Sequence, residues 1–220
     1  SILFPYDSAF TICKTSSGNI TPGDYDRDGH MDLLQVGDTS DYFTLLYKNI
    51  GDSIFSVQTN AVNADGIADG MGKWDDYNND GNIDFLTTGA LESDYGLTKI
   101  YSNNGNGHFS PVYSGPSVKF SHVDWGDFNN DGLSDFFICG LSNNSFDYSL
   151  LYKNNGDSTF TQQAGTSFPN LANGNIEWAD FNRDGLLDLM YCGSGFIRIY
   201  TNNGDSTFTV FTNHSIPGIY

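Results

Sequence analysis

Short runs of alternating apolar and polar residues, separated by glycine, asparagine and aspartate, dominate the chain. Alternation over five or six residues is the period of a strand with one buried face, and Asn-Gly pairs are typical of tight hairpin turns. No window sustains the three- to four-residue apolar spacing of a helix. The pattern therefore predicts an all-β fold with almost no helix.

Two sequence patterns recur four times in the same order. The first is an aspartate-rich segment, whose first loop aspartates are 51 to 53 residues apart: GDYDRDGHMD, DDYNNDGNID, GDFNNDGLSD and ADFNRDGLLD. The second follows each of them: LYKNIGDSIF, IYSNNGNGHF, LYKNNGDSTF and IYTNNGDSTF. Each unit is predicted to hold four short strands. In the last unit these are 175–180, 188–193, 196–200 and 207–211.

A period of about 50 residues with four strands per unit is typical of β-propeller blades, whereas β-solenoid coils are usually much shorter. We predict four complete antiparallel blades and an extra N-terminal strand within one repeat domain, 1–220. Because this set does not close a ring, we expect either part of a larger propeller or completion by another copy. The predicted divisions are 1–13 for the outer strand of a preceding blade, 18–60, 69–115, 118–164 and 174–213 for blades 1 to 4, and 214–220 for the approach to a further blade.

The aspartate-rich segments have the spacing of loops that wrap a hard cation. Calcium takes six to eight oxygen ligands, and side chains at positions 1, 3 and 5 converge when a glycine at position 6 permits a sharp turn. A backbone carbonyl at position 7 and a carboxylate at position 9 complete the set, so one calcium ion per loop is predicted. The predicted ligands are Asp24, Asp26, Asp28, His30 and Asp32 in loop one; Asp76, Asn78, Asp80, Asn82 and Asp84 in loop two; Asp127, Asn129, Asp131, Leu133 and Asp135 in loop three; and Asp180, Asn182, Asp184, Leu186 and Asp188 in loop four.

Two other interpretations of these loops compete with the propeller-type calcium loop. An EF-hand shares the opening of the pattern, but it needs flanking helices and a glutamate at position 12, where the chain has Gln35, Thr87, Ile138 and Tyr191. Asx-rich turns without metal are the second alternative. Four copies in register disfavour a chance arrangement.

The loop together with the Tyr-x-Asn-Asn-Gly segment resembles the FG-GAP and VCBS repeats of integrin α-subunit propellers and of many secreted or surface proteins. The resemblance covers nearly the whole chain, and it implies a structural calcium ion between the first two strands of each blade. The first unit departs from the others, with Pro22 in place of Trp74, Trp125 and Trp178, and with Asp26 in place of asparagine. Neither change removes an oxygen ligand. The shared position of the tryptophans predicts packing between blades.

Net charge restricts the partners. The formal charge is −18, which argues against nucleic acid or an anionic membrane surface, and no apolar stretch is long enough for membrane insertion. Acceptor triplets for N-glycosylation begin at Asn19, Asn143 and Asn213. Together with calcium loops, which need plentiful calcium, they favour an extracellular or cell-surface setting.

The sequence offers no catalytic motif. The four histidines are scattered, and neither HExxH nor GxSxG occurs, so we expect no enzyme. Cys13, Cys139 and Cys192 are an odd number, which excludes a complete disulfide framework, and the last two share a repeat position that predicts small buried side chains.

The expected function is a calcium-stabilised module for adhesion or ligand recognition, with a protein or a glycan as ligand, or copies of itself as partner. Three alternatives remain open at this point. One is a structural subunit that assembles into a fibre or surface layer by strand or blade complementation. The others are a calcium-dependent lectin and the propeller domain of a secreted polysaccharide-active enzyme.

Overall fold

The computed structural model describes residues 15–52, 54–59, 61–164, 168–193 and 196–211. Within them there is no helix, and the sixteen strands form four antiparallel sheets of four strands, in chain order. The strands of blade 1 are β1 (Gly18–Gly23), β2 (Asp32–Asp38), β3 (Tyr42–Asn49) and β4 (Phe55–Val57); those of blade 2 are β5 (Ala68–Asp75), β6 (Asp84–Ala90), β7 (Gly96–Asn103) and β8 (Phe109–Ser114). The strands of blade 3 are β9 (Val118–Gly126), β10 (Asp135–Ser142), β11 (Asp147–Asn154) and β12 (Phe160–Gln162); those of blade 4 are β13 (Asn175–Ala179), β14 (Asp188–Gly193), β15 (Phe196–Asn202) and β16 (Phe208–Val210).

The sheets are the predicted blades, and the all-β prediction is confirmed. Consecutive strands pair within each blade, so each sheet is a simple meander. The first strands lie side by side, since β1 packs on β5, β5 on β9, and β9 on β13. Across the described residues this series does not close into a ring. The strand predicted at 1–13, the approach predicted at 214–220 and Cys13 all lie outside the described residues.

Each acidic loop connects the first two strands of its blade. The residue before the loop pairs with the last loop aspartate in every blade, for example Gly23 with Asp32 and Gly126 with Asp135. The ladder therefore fixes both ends of the loop, and the eight residues between the paired positions must turn within one strand separation. This placement positions the candidate site.

The tryptophans pack between blades, as their shared register predicts. Trp74 Nε1 donates to the carbonyl of Thr21 in blade 1 at 3.1 Å, and Trp178 Nε1 donates to that of Asp124 in blade 3 at 3.5 Å. A Cβ built on Gly23 would lie 2.8 Å from the Trp74 ring, so this position needs a glycine for the close approach. The indole thus joins one sheet to the edge of the loop on the sheet before it.

The core of the described chain consists of three clusters, one at each boundary between blades. The clusters are centred on Tyr25, Phe85 and Phe109 between blades 1 and 2; on Tyr77, Trp125 and Phe136 between blades 2 and 3; and on Phe128, Phe137 and Tyr191 between blades 3 and 4. Apolar burial is roughly worth 25 cal/mol per Å², so stacking of sheets, rather than any single sheet, supplies the stability.

Cys139 is fully buried and Cys192 is half-buried, and both are free thiols. The described residues contain no helix that is long and apolar enough to cross a membrane.

Candidate metal-binding loops

The backbone of all four loops turns through left-handed conformations at the same two positions. The position-6 glycines have φ between 84° and 88°, and the position-4 residues have φ between 56° and 64°. A side chain at φ near 85° is strained, so glycine at position 6 is required. The position-6 residues are Gly29, Gly81, Gly132 and Gly185; the position-4 residues are Arg27, Asn79, Asn130 and Arg183.

Side-chain oxygens in each loop converge on the turn. In loop two the N–H of Asp80 donates to Oδ1 of Asp76 at 3.1 Å and to Oδ1 of Asn78 at 2.9 Å, so two loop oxygens share one donor. The N–H of Gly81 donates to Oδ2 of Asp76 at 2.8 Å, and that of Asn82 donates to Oδ1 of Asp80 at 2.7 Å. Loops three and four repeat these bonds at 2.8–3.1 Å.

Loop one brings three carboxylates together. Oxygen atoms of Asp24, Asp26 and Asp28 all lie within 4.8 Å of one another. Asp26 stands at position 3, where the other loops have an asparagine, so loop one has one more negative charge. Like charges at this separation raise the free energy of the loop unless a cation lies among them.

The position-9 aspartates are completely buried. One oxygen of each accepts a backbone N–H from the last residue of the third strand, at 2.7 Å for Asp32, Asp84 and Asp135 and at 2.9 Å for Asp188. Burial raises the pKa of Asp32 to about 6, and it raises the pKa values of Asp84 and Asp135 to about 7. A buried carboxylate is disfavoured in its charged form unless positive charge is nearby.

The second oxygen of these aspartates tests whether the loops fit a metal. Asp84 Oδ2 is buried and lacks a hydrogen-bond partner among the described residues, as does Asp26 Oδ1 at position 3 of loop one. The second oxygens of Asp32, Asp135 and Asp188 accept hydrogen bonds within their own loops. The loops offer carboxylate, amide and backbone carbonyl oxygens, and such donor sets suit hard cations. The residues therefore fit calcium, which remains the predicted ion. The backbone N–H of each position-7 residue donates to Oδ1 of the position-5 aspartate, at 2.7–3.1 Å. The contribution of the position-7 carbonyls to the metal stays a prediction.

Comparison with known families decides the identity of the repeat. The family model described as FG-GAP-like repeat matches three overlapping segments, 76–138, 127–191 and 180–220. The chain belongs to the FG-GAP-like repeat family. The matched segments begin on the first loop aspartates Asp76, Asp127 and Asp180, so each FG-GAP match starts at a candidate metal loop.

A solved structure shares the fold of this FG-GAP chain. It is that of an Agrocybe aegerita lectin, described as specifically recognising non-reducing terminal N-acetylglucosamine, with a TM-score of 0.60 and 20% sequence identity. The likeness covers 88% of this chain and 51% of the lectin chain, so the FG-GAP chain spans about half the lectin's length. No curated protein sequence matches the chain.

Two lysines face FG-GAP loops and were not predicted from the sequence. Lys48 on β3 forms ion pairs with Asp26 and, at 3.2 Å, with Asp28. Lys153, at the same position of blade 3, lies 3.0 Å from Asp131. Blades 2 and 4 have Ser102 and Thr201 at this position. The sequence signal for these lysines was the variable residue of Tyr-x-Asn-Asn-Gly. It is charged in blades 1 and 3 and neutral in blades 2 and 4.

The asparagine after that variable residue joins neighbouring blades and was also missed. Nδ2 of Asn103 donates to the carbonyl of Tyr25 in loop one at 2.9 Å, and Nδ2 of Asn154 donates to that of Tyr77 in loop two at 2.8 Å. Asn202 bonds in the same way to Phe128 in loop three at 2.6 Å. The recurrence of this asparagine signalled a structural role, but its partner is a residue of the preceding blade.

The glycosylation candidates differ in their surroundings. Asn19 is half-buried on β1, and its Oδ1 accepts the N–H of Gly72 in blade 2 at 2.9 Å. Asn143 is exposed, and its Oδ1 accepts the N–H of Gly96 at 2.8 Å. Asn213 lies outside the described residues. Of the two described candidates, Asn143 is the more accessible to a modifying enzyme.

Proposed function

We propose that the protein is an extracellular, calcium-stabilised propeller module that recognises a glycan. The observation that carries this proposal is the repetition, in register, of loops whose side-chain oxygens converge and whose last carboxylate is fully buried. Those carboxylates belong to Asp32, Asp84, Asp135 and Asp188.

Calcium is favoured by the donor set and by the charge. Loop two, for example, carries three aspartates within nine residues, and one oxygen of Asp84 is buried without a hydrogen-bond partner among the described residues. A divalent ion offsets this charge and satisfies that oxygen. Extracellular calcium modules have dissociation constants of roughly 10⁻⁴–10⁻³ M, so loops of this kind are occupied outside the cell.

Glycan recognition is our extension from the likeness to the lectin, whose ligand is a terminal monosaccharide. We propose recognition rather than catalysis because metal binding accounts for the clustered carboxylates. Within the described ranges, loop one holds the single group of three acidic side chains with converging oxygens.

A glycan array probed with the calcium-loaded chain tests the ligand class, and calorimetric titration of calcium into the chelated chain tests the metal separately. We expect binding to a subset of glycans, its loss in chelator and its return with calcium. Calcium uptake without any glycan binding by the folded chain would refute the glycan assignment. Absence of calcium uptake would refute the metal assignment.

One observation favours self-assembly as a second candidate function. Phe181 in loop four is 43% exposed, whereas its counterparts Tyr25, Tyr77 and Phe128 are at most 5% exposed beneath the following blade. A blade of another copy stacked on blade 4 would bury this ring. Light scattering over a concentration series tests the idea, because self-association would raise the mass in wild type and not in Phe181→Ser. A monomeric mass at every concentration would rule it out.

A further inference from the structure

A cavity of about 450 Å³ lies between blades 1 and 2, beside loop one. Its walls are formed by Tyr25 and Asp26 of the loop, by Lys48 on β3, by residues 56–59 at the end of β4 and just after it, and by the turn 105–108 of blade 2. Small-molecule sites typically measure about 300–1,000 Å³, so the cavity is large enough for a small ligand.

A local difference in sequence opens this boundary. Between blades 2 and 3 the hydroxyl of Tyr77 bonds to Oγ of Ser158 at 2.9 Å. The residue that corresponds to Ser158 in blade 2 is Gly107, which presents no side chain to Tyr25. The position is therefore filled at one boundary and open at the other.

The lining of the cavity is polar on both sides. Asp26 and Lys48, which form an ion pair, both line the cavity. Tyr25, Ser56 and Thr59 add hydroxyl groups.

The same lining has little net charge and some apolar surface. The positive charge of Lys48 offsets the negative charge of Asp26, so an ionic ligand gains little electrostatic binding energy there. Val57 is 44% exposed beside the cavity and offers a surface for C–H groups. A neutral ligand with several hydroxyl groups and one apolar face matches this combination, and a pyranose has these properties.

We propose that this cavity binds a terminal neutral monosaccharide, with sugar hydroxyls bonding to Lys48 and to the hydroxyl groups of Tyr25 and Thr59. The inference rests on the proposed glycan recognition and adds its location. Gly107 is then the residue that determines which blade boundary binds, because a serine there fills the space.

Gly107→Ser is the decisive variant, because the chain already accepts serine at this conformation. Gly107 has φ 74°, and its counterparts Ser158 and Ser206 have φ 63° and 66°. A Cβ on Gly107 would lie 3.5 Å from Tyr25 Cε2, which is an ordinary contact. Ser158→Gly is the matched control, since it makes the reverse change at the next boundary and leaves the cavity intact.

The experiment is a nuclear magnetic resonance titration of the calcium-loaded chain with methyl glycosides of N-acetylglucosamine, glucose, galactose and mannose. We expect at least one sugar to shift the amide signals of Gly105 and Gly107 saturably. Gly107→Ser should weaken this binding at least tenfold, and Ser158→Gly should change it less than twofold.

The outcomes separate this inference from the proposed function. Equal affinity of wild type and Gly107→Ser would overturn the cavity as the site. Glycan-array binding without shifts at Gly105 and Gly107 would also overturn it, while glycan recognition would stand. If neither assay detects binding, both the location and the ligand class are refuted.

Discussion

Loop one and loop two share a backbone conformation but differ in what faces their carboxylates. Loop one has an additional carboxylate, Asp26, and Lys48 is paired with it. These pairs raise the pKa of Lys48, so the amine stays protonated. Loop two has neither the additional carboxylate nor the lysine, since blade 2 has Ser102 at this position, and Asp84 Oδ2 remains unpartnered among the described residues. A cation entering loop one competes with a resident ammonium, whereas one entering loop two meets uncompensated negative charge.

The same contrast divides the four loops into two classes. Loops one and three have a facing lysine, and loops two and four have Ser102 and Thr201 instead. We therefore expect the calcium affinities of the four loops to differ because of local charge rather than ligand spacing. The following predictions test this division.

Complete removal of calcium should produce the largest effect. A ligand at 100 times its dissociation constant stabilises the folded state by about 2.7 kcal/mol per site. For about 200 residues, 1 kcal/mol corresponds to roughly 2–4 °C, so several sites together should raise the melting temperature by more than about 10 °C. Calorimetry of chelated and calcium-loaded protein measures this difference, and titration should resolve a tighter and a weaker class of sites. An unchanged melting temperature after verified metal removal would contradict the prediction.

Asp84→Asn should remove most of the affinity of loop two. The change deletes a buried negative charge and the oxygen that lacks a partner, so we expect the calcium stoichiometry to fall by one ion and the calcium-induced stabilisation to fall by about 2–3 kcal/mol. Asp94→Asn is the control, because Asp94 carries the same charge on a hairpin outside the loops and its side chain is 78% exposed. An unaltered stoichiometry in Asp84→Asn would remove loop two from the set of sites.

Exchanging the facing residues should invert the comparison between loops one and two. Lys48→Ser should raise the calcium affinity of loop one about tenfold, and Ser102→Lys should lower that of loop two by a similar factor, as expected for about 1.4 kcal/mol of charge interaction. Lys99→Ser is the control, because Lys99 pairs with Asp65 at 2.6 Å, away from any loop. Titration calorimetry reports both affinities. If the calcium affinities of loops one and two are the same before and after the exchange, the lysine at this position does not control calcium affinity.

Lys153→Thr should have the smallest effect. The Lys153 side chain is 40% exposed, and Asp131 is its single ion-pair partner among the described residues, so solvent screens its charge more than that of Lys48. We expect the affinity of loop three to rise about two- to threefold, and the rise to shrink at high ionic strength. A larger gain than that of Lys48→Ser would reverse the proposed order.

Features that repeat in the sequence were predictable. The hydrophobic alternation and the loop register together placed β14 at its observed bounds, 188–193. The predicted fourth strand 207–211 is shorter in the structure, at Phe208–Val210, because the turn before it bonds within itself through Asp205. The sharp turn at loop position 6 was predictable from its glycine, and calcium binding by the loops stays a prediction.

Side-chain contacts between strands, within a blade or across a blade boundary, were not predictable. The ion pairs of Lys48 join β3 to a loop about twenty residues earlier, and the cavity beside Gly107 requires knowledge of which tyrosine faces it. The bond that Asn19 Oδ1 accepts from blade 2 across the blade boundary was likewise not predictable. Periodicity predicts strands and turns, but it does not specify the contacts between blades.

The bonds from Asn103, Asn154 and Asn202 to the preceding loop give the array a direction. Blades 2, 3 and 4 each donate a hydrogen bond to a backbone carbonyl in the acidic loop of the preceding blade. Each of these bonds contributes to the boundary between two blades, so damage to one loop weakens the boundary with the following blade. Unfolding of one blade should therefore destabilise the blade beside it.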